Sequence, residues 1–412
     1  FFVVTAVQPA KAANPDEGMW LANMVRQLNF EYLKQLGLEL SAEEIYNTEN
    51  ASLKDAVVQL YQGGSGFCTG ELVSPNGLMF TNHHCGYEAI VSQSTTEHNY
   101  IDDGFWARSY AEELPIPGLA IRILYDAKDI TDSIAPKVEG LDMAQRRAKI
   151  TEIQNRIIAR YAEQGYEAEV KSMYYGNQYY VYLYQVYNDV RLTGAPPSSV
   201  GNYGGDTDNW MWPRHTGDFS IFRIYADKSN NPAEYSAENV PFRPKKFLKI
   251  SLDGYKEGDF TMIMGFPGST ERYLTSFGMA EVVNESNPAQ VDVFKAVTDV
   301  MKSESDKDEA VRIQLAADYA QLMNGLKLYK TQVDGMRRMD AVGIKEAQEK
   351  EFMKWAKTQG KSTEEKYQAM FNNFENAYKN LSTVNTEFYY KIYSVVLLPT
   401  GSFALDFSEV ES

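Results

Sequence analysis

Positive charge is scarce in this 412-residue chain: 40 Lys and Arg residues face 56 Asp and Glu residues, for a formal net charge of −16. Binding to a nucleic acid needs a concentrated basic face, so the composition excludes nucleic acid as a partner. Long apolar runs are also missing, and a transmembrane helix needs about 20 consecutive apolar residues. The sequence therefore predicts no membrane span.

Cysteine and histidine are rare as well, with two cysteines and four histidines in the whole chain. No Cys or Glu cluster completes a metal site, and we expect neither a metal nor a cofactor. In an exported protein, a pair such as Cys68 and Cys85 is more typical of a disulfide than of a reactive thiol. Closing a loop of that length would contribute about 3 kcal/mol of stability on the chain-entropy model.

The first residues are typical of the end of a secretory signal peptide. Residues 1–7 are almost all apolar, residues 10–13 are mostly alanine, and a polar stretch follows. We expect residues 1–13 to be the remnant of a signal peptide and the protein to be exported. The alternative is a buried N-terminal strand. Because no initiator Met and no basic region precede this run, we also expect the chain to have been trimmed at its front.

Two kinds of hydrophobic periodicity divide the chain. Residues 141–164 repeat at helical spacing, and 289–395 are rich in Ala, Lys, Glu, Gln and Met and free of proline, which favours helices. Short alternating runs between turn residues predict strands. These runs lie at 56–61, 70–73, 78–81, 119–125, 179–184, 219–225 and 260–264. We therefore predict an α+β fold, with a β-rich domain at 14–277 that carries helical insertions and helices over 278–412.

The most informative motif surrounds His84. Gly66-Phe67-Cys68-Thr69-Gly70 is followed, after a predicted hairpin, by Thr81-Asn82-His83-His84-Cys85-Gly86. This is the arrangement of trypsin-like proteases, in which a disulfide ties a strand to the turn that bears the catalytic His. A general base must be held within hydrogen-bond reach of its nucleophile, so we assign the base to His84 and a structural role to His83. In the alternative, His83 and His84 are metal ligands, but adjacent residues rarely reach one ion from a strand end.

A second polar segment, residues 204–219, is rich in Gly, Asp, Asn and Trp and runs directly into a predicted strand. Such a density of polar and aromatic side chains in a loop is typical of a binding site. An ordinary turn would explain the Asp and Asn residues but not two nearby Trp residues. Asp218 opens the strand and is the best candidate to hold the tautomer of His84 and to stabilise the imidazolium.

Together these motifs resemble the bacterial dipeptidyl-peptidase 7/11 family of serine exopeptidases, and the likeness runs over nearly the whole chain. The resemblance implies a chymotrypsin-type double β-barrel into which a helical domain is inserted. It also implies a homodimer in the periplasm or on the cell surface that releases dipeptides from free peptide N-termini. The motifs that carry the resemblance are Gly66-Phe67-Cys68-Thr69-Gly70, Thr81-Asn82-His83-His84-Cys85-Gly86-Tyr87, Ala195-Pro196-Pro197-Ser198-Ser199-Val200-Gly201, residues 204–218 and Gly265-Phe266-Pro267-Gly268-Ser269-Thr270.

The resemblance also implies roles for single residues. By position, His84 and Asp218 are the base and its orienting acid, and Asn209, Trp210 and Asn324 hold the α-amino group of the substrate. Amide oxygens and an aromatic wall are suited to a terminal ammonium group. The P1-selecting pocket of the family lies near the nucleophile, so the sequence does not predict whether the P1 side chain is acidic or hydrophobic.

The nucleophile is missing from the motifs. Ser65, Ser269 and Ser402 lie in turns, but none is in the Gly-Asn-Ser-Gly-Ser-Pro-like turn of the family. Residues 258–268 resemble the strand that starts the second barrel, so we expect that barrel to be incomplete and its other strands, with the serine, to lie beyond residue 412. We therefore expect a fragment of an active enzyme that shows no peptidase activity by itself. The alternative is a non-catalytic pseudo-peptidase that binds peptide N-termini.

Overall fold

A computed structural model describes residues 20–25, 27, 30–269, 271 and 273–396. The interpretation of residues 1–13 as a signal-peptide remnant falls outside the described residues, as does Ser402. Within the described ranges, the chain is an antiparallel sheet followed by a long helical region, in agreement with the predicted α+β class.

The described strands form one antiparallel sheet of eleven strands. They are β1 (Val57–Gln62), β2 (Ser65–Leu72), β3 (Leu78–Thr81), β4 (Phe105–Trp106), β5 (Leu114–Pro115), β6 (Ala120–Asp129), β7 (Glu167–Met173), β8 (Gln178–Tyr187), β9 (Asp189–Ala195), β10 (Ser220–Ala226) and β11 (Val240–Pro241). The main path runs β4-β9-β10-β3-β2-β1-β6-β8-β7, while β11 pairs with β10 and β5 with β9. Strands β3 and β10, which are neighbours in space, are therefore separated by more than 130 residues of chain.

The helices fall into two groups, one around the sheet and one after it. Around the sheet are α1 (Phe30–Gln35), α2 (Ala42–Ile45), α3 (His83–Ser92), α4 (Tyr100–Asp103), α5 (Thr131–Val138), α6 (Met143–Ala162), α7 (Ser198–Gly201) and α8 (Gly205–Asp208). After it come α9 (Ser276–Glu281), a π-helical turn (Val282–Ser286), α10 (Asn287–Ser305), α11 (Glu309–Arg338), α12 (Ala341–Thr358) and α13 (Lys361–Val396). The helical spacing at 141–164 and over 289–395 is thus confirmed. No helix in the described ranges is both long and apolar enough to cross a bilayer.

The main core lies on one face of the sheet. Alternate side chains of β1, β6 and β10 belong to it, because successive side chains of a strand point to opposite faces. Helix α3 closes this core, with Ile90 fully buried among the strand residues. The fully buried strand residues of this cluster are Val58, Leu60, Leu72, Met79, Ile121, Leu192, Ala195, Phe222, Ile224 and Ala226.

Helix α3 lies unusually close to β10 because residue 86 is a glycine. A Cβ at Gly86 would lie only 2.4 Å from Oγ of Ser220. The Ser220 hydroxyl in turn donates a hydrogen bond to the carbonyl oxygen of Asn82, at 2.8 Å. The start of α3 is therefore fixed directly against the start of β10.

The helical region is attached to the sheet through α11. Ile313 is buried in the main core, although it is more than 80 residues further along the chain than the last core strand. Beside it, Nη2 of Arg312 lies 2.6 Å from a carboxylate oxygen of Asp102. The amide of Asn99 donates to Glu309 at 3.4 Å. These contacts fix the N-terminal part of α11 against α3 and α4.

One predicted strand is wrong. Residues 260–264, expected to start a second barrel, form no strand, and both Met262 and Ile263 are exposed. A strand needs a neighbour to satisfy its backbone groups, and no strand of the described part pairs with this segment. The following residues are held by a side chain instead, since the N–H of Phe266 donates to Oγ1 of Thr69 at 2.8 Å.

We expect Ile90→Ala to lower the free energy of unfolding by about 2–5 kcal/mol, because it empties a fully buried site under α3. The control is Ile344→Ala, the same substitution at a half-exposed position on α12, which should change stability by less than about 0.5 kcal/mol. Denaturant unfolding of the two variants measures the difference. Equal effects would show that α3 does not close the core as described.

Candidate active site

His84 and Asp218 are brought together by the pairing of two strands. Strand β3 pairs with β10 so that Thr81 lies opposite Ser220. Asn82 is extended and precedes the first turn of α3, which contains His84. Because Asp218 precedes β10 by two residues, this register delivers its carboxylate to the start of α3.

The Asp218 carboxylate binds His84 twice. Its Oδ2 lies 2.9 Å from Nδ1 of the His84 ring, and its Oδ1 accepts the backbone N–H of His84 at 3.1 Å. The acid side chain is only 13% exposed, whereas the imidazole is 68% exposed. Asp218 therefore holds one edge of the imidazole ring, while the opposite edge of the ring is open to a reacting group.

Two more side chains hold the carboxylate. Nδ2 of Asn82 donates to the carbonyl oxygen of Asp218 at 3.2 Å and to its Oδ2 at 3.3 Å. Nη2 of Arg214 lies 3.5 Å from the same Oδ2. Burial alone would raise the pKa of the Asp218 carboxyl, but the hydrogen bonds and charge of His84, with the charge of Arg214, hold that pKa below its usual value. Asp218 is thus ionised at neutral pH and able to stabilise a protonated ring.

A disulfide joins the strand to the helix that carries His84. Cys68 on β2 is bonded to Cys85 on α3, with their Cα atoms 6.0 Å apart. Cys85 directly follows His84, so the bond restrains the backbone from which the ring projects.

The neighbouring His83 has a different environment. Its side chain is almost fully buried, and a Cβ at Gly201 would lie 2.2 Å from its ring. Burial lowers the pKa of His83 and outweighs the negative charge of Asp218, which would raise it. Since one ring is buried and the other exposed, the two histidines do not share one site.

The three residues assigned to the substrate amino group meet in space. Nδ2 of Asn209 donates to Oδ1 of Asn324 at 2.9 Å, and Nε1 of Trp210 donates to the carbonyl oxygen of Asn324 at 3.2 Å. Asn324 belongs to α11, 115 residues further along the chain than Asn209. Trp210 adopts a positive φ of 58°, a conformation that is uncommon outside glycine and is found at ligand sites.

Arg214 connects this amide cluster to the acid, a role that the sequence reasoning missed. Its Nη1 donates to Oδ1 of Asn209 at 3.3 Å, while its Nη2 faces Asp218. The only signal in the sequence was its position, four residues before Asp218 in the same loop. Asn82 was missed in the same way, although it lies directly before the two histidines.

Neither described serine candidate lies at the imidazole. The hydroxyl of Ser65 donates to the carbonyl oxygen of Gly66, and Ser269 is exposed in a segment without regular secondary structure. Among the residues that the structure describes, the ring of His84 is hydrogen bonded to Asp218 and to no serine hydroxyl. The arrangement can therefore accept and return a proton.

We expect the Asp218 carboxyl in the folded chain to titrate below its ordinary value of 3.8. The stability that its ionisation contributes is present above pH 3.8 and is lost as the pH falls through the lower, folded-state value. His84→Ala should raise this pKa, because burial remains while a bond to the charged form is lost. Carbon NMR of labelled aspartate carboxyls measures both values. The control is His98→Ala at an exposed position; an equal shift there would contradict the assignment.

Comparison with known proteins shows the family of the chain. The model of the family Peptidase S46 matches residues 15–401. The chain is 48% identical over 354 residues to dipeptidyl-peptidase 7 of Porphyromonas endodontalis, covering 85% of this chain and 43% of the relative. It is 41% identical over 367 residues to an Asp/Glu-specific dipeptidyl-peptidase of Flavobacterium psychrophilum. That match covers 89% of this chain and 51% of the relative.

Solved structures give the same result. A crystal structure of Porphyromonas endodontalis DPP11 in complex with the dipeptide Arg-Glu matches with a TM-score of 0.83 at 41% identity. That match covers 92% of this chain and 54% of the crystallised one. The chain thus spans about half the length of the curated relatives it matches. Since the family model and these relatives cover most of the residues, the chain belongs to the Peptidase S46 family.

Proposed function

We propose that this chain supplies the acid–base pair and the amino-group site of a serine-type dipeptidyl-peptidase, which releases dipeptides from the free N-termini of peptides. The observation that carries the proposal is the connected set of Asn324, Asn209, Arg214, Asp218 and His84. Relatives named as dipeptidyl-peptidases support it.

In the proposed mechanism, His84 accepts the proton of a serine hydroxyl as that oxygen attacks the peptide carbonyl. Asp218 keeps the proton of the neutral ring on Nδ1, which leaves Nε2 unprotonated as the base. The carboxylate then stabilises the imidazolium, which returns its proton to the leaving amine. We assign the nucleophile to a serine outside the 412 residues, on the basis of the family resemblance.

The amide cluster would select a terminal ammonium group. Oδ1 of Asn209 accepts one hydrogen bond from Arg214, and Oδ1 of Asn324 accepts one from Asn209. Each oxygen retains a second lone pair, to which an ammonium group can donate. The half-exposed ring of Trp210 adds an aromatic face beside them. Because the cluster is linked to Asp218 through Arg214, we propose that it fixes the scissile bond two residues from the N-terminus.

We extend the proposal to the architecture. The sheet would be the first barrel of a trypsin-like double β-barrel, residues 258–268 would lead into the second, incomplete barrel, and the helices over 278–412 would be part of an inserted domain. The attachment of α11 to α3 and α4 supports an insertion that contributes to the site. The π-helical turn and α9 mark where the sheet region gives way to helices.

We also propose that the protein is periplasmic or at the cell surface and acts as a homodimer when full length. The disulfide beside His84 supports an oxidising compartment, since such bonds persist there and are rare in the cytosol. The dimer is proposed from the family resemblance alone.

Asn209→Ala should weaken binding of a dipeptide with a free N-terminus by about tenfold or more, since hydrogen bonds to charged groups contribute about 1.5–3 kcal/mol. Binding of the N-acetylated dipeptide should not change. Isothermal titration calorimetry on this chain measures both. Asn373→Ala at an exposed position of α13 is the matched control. A loss that is equal for free and blocked dipeptides would remove Asn209 from the amino-group site.

In a longer polypeptide that supplies the serine, His84→Ala should lower kcat for a fluorogenic dipeptide substrate by at least about 10⁴-fold. His98→Ala should leave kcat unchanged, and circular dichroism should show the same fold for all three proteins. Turnover that survives in the His84 variant would contradict its role as the base. Dipeptide binding without hydrolysis in the unmodified protein would favour the pseudo-peptidase.

A further inference from the structure

His83, the buried neighbour of His84, has no part in the mechanism proposed above. Its side chain is only 1% exposed, whereas the ring of His84 is open to solvent. Adjacent residues at the start of α3 therefore present one imidazole to the surface and the other to the inside of the protein. The inner ring packs against α7 (Ser198–Gly201), the helical turn that precedes the loop with Asn209, Trp210 and Asp218.

We propose that His83 is a positioning residue: its ring supports α7, and α7 in turn holds the backbone that presents Asp218 to His84. The inference deepens the proposed function, on which its meaning for catalysis rests. Its effect on the contact between His84 and Asp218 is a property of this chain, however, and is measured without any hydrolysis.

Helix α7 needs support because it is a single turn of four residues. The N–H groups of Val200 and Gly201 both donate to the carbonyl oxygen of Pro197, at 2.8 and 2.9 Å. A helix of this length is a nucleus without propagation, which is unfavourable by itself. The position of α7 is therefore set by the groups that it packs against.

The ring of His83 provides the closest of these contacts. Gly201 is buried, and a Cβ built on it would lie 2.2 Å from Cδ2, 2.4 Å from Cγ and 2.6 Å from Nε2 of the ring. Three ring atoms thus face one point of the α7 backbone, with room for a hydrogen atom only. On α3 itself, the ring of Tyr87 flanks the imidazole, with the ring centroids 5.6 Å apart. The ring of His83 is held between α3 and α7.

Helix α7 passes this support on to Asp218. The N–H of Gly217 donates to the carbonyl oxygen of Val200 at 3.0 Å. A Cβ at Gly217 would lie 2.8 Å from Cγ1 of Val200, so the two segments are in close contact. One residue earlier, Oγ1 of Thr216 donates to the carbonyl oxygen of Tyr203 at 2.8 Å. The two residues before Asp218 are thereby fixed to α7 and to the chain just after it.

An uncharged His83 suits this role. Burial lowers the pKa of its ring, which keeps the ring neutral at neutral pH. A positive charge at residue 83 would lie beside His84 and would disfavour the imidazolium that the proposed mechanism forms there. The buried ring thus contributes shape and leaves the charge to its neighbour.

The test introduces one methyl group between α7 and the ring. Gly201→Ala should displace α7 and weaken the contact between Asp218 and His84. The pKa of the Asp218 carboxyl should then rise from its lowered value toward 3.8, because bonds to the charged form are lost. Carbon NMR of the chain labelled in aspartate measures this. The control is Gly335→Ala on α11, where a Cβ would meet nothing within 4 Å and the pKa of Asp218 should not change.

Removal of the ring should relieve the clash. His83→Ala alone should also raise the pKa of Asp218, because α7 loses its support. Adding Gly201→Ala to His83→Ala should cause no further rise, since the methyl group then occupies space that the ring has left. If Gly201→Ala alone fails to fold, the double variant should restore the fold, which circular dichroism shows. Ile90→Ala, at a buried site of the same helix, should lower stability without changing this pKa.

A second pair of variants tests the link from α7 to Asp218. Gly217→Ala should raise the pKa of Asp218, because its methyl group meets Val200. Val200 is half-exposed, so Val200→Ala should cost little stability by itself. In combination with Gly217→Ala, it should return the pKa toward the value of the unmodified chain.

Turnover separates this inference from the proposed function. In a longer polypeptide that supplies the serine, His83→Ala and Gly201→Ala should each lower kcat by about 10–100-fold, as a displacement of about 1 Å in an active site can. If the unmodified polypeptide shows no turnover, the proposed function is wrong, and the NMR results still decide the role of His83.

Three results would overturn the inference. Gly201→Ala could shift the pKa of Asp218 no more than Gly335→Ala does, or could shift it equally, or prevent folding equally, with and without the His83 ring. Alternatively, Ile90→Ala could raise the pKa as much as His83→Ala does, which would make His83 one more residue of the general packing. Finally, Val200→Ala could leave the effect of Gly217→Ala unchanged.

Discussion

The site depends on the two-point contact between the Asp218 carboxylate and His84. One oxygen binds the ring and the other binds the backbone N–H at the start of α3, so the acid holds both the imidazole and the backbone that carries it. The same carboxylate forms an ion pair with Arg214, which in turn donates a hydrogen bond to Asn209. A loop that could otherwise adopt many conformations is thereby tied to the first turn of a helix.

This contact is possible because distant parts of the chain meet. The register of β3 and β10 sets the start of α3 opposite the loop that precedes β10, and Gly86 allows the helix to lie against that strand. Helix α11 is bonded to α4 at Arg312, packs into the main core at Ile313 and reaches the loop at Asn324. His84, Asp218 and the amide cluster thus lie on elements that are packed against one another.

Much of this could be predicted from sequence, and the failures have physical causes. His84 is recognisable because Cys spacing, a turn and a His coincide, and the helical periodicity of 289–395 is long enough to be unambiguous. The order of the strands is not recognisable, because pairing across more than 130 residues leaves no local signal. Residues 260–264 alternate as a strand does, but alternation predicts a strand only where a partner exists. Arg214 was missed because its role lies in two simultaneous contacts, each defined only in three dimensions.

The central claim is that Asp218 holds His84 with its proton on Nδ1 and Nε2 free to act as a base. Nitrogen NMR of the chain labelled in histidine measures this directly, with His84→Ala to assign the signals. At a pH where the ring is neutral, we predict that Nδ1 carries the proton and that Asp218→Asn alters this distribution. A neutral ring protonated on Nε2, or one divided between the two tautomers and insensitive to residue 218, would contradict the account.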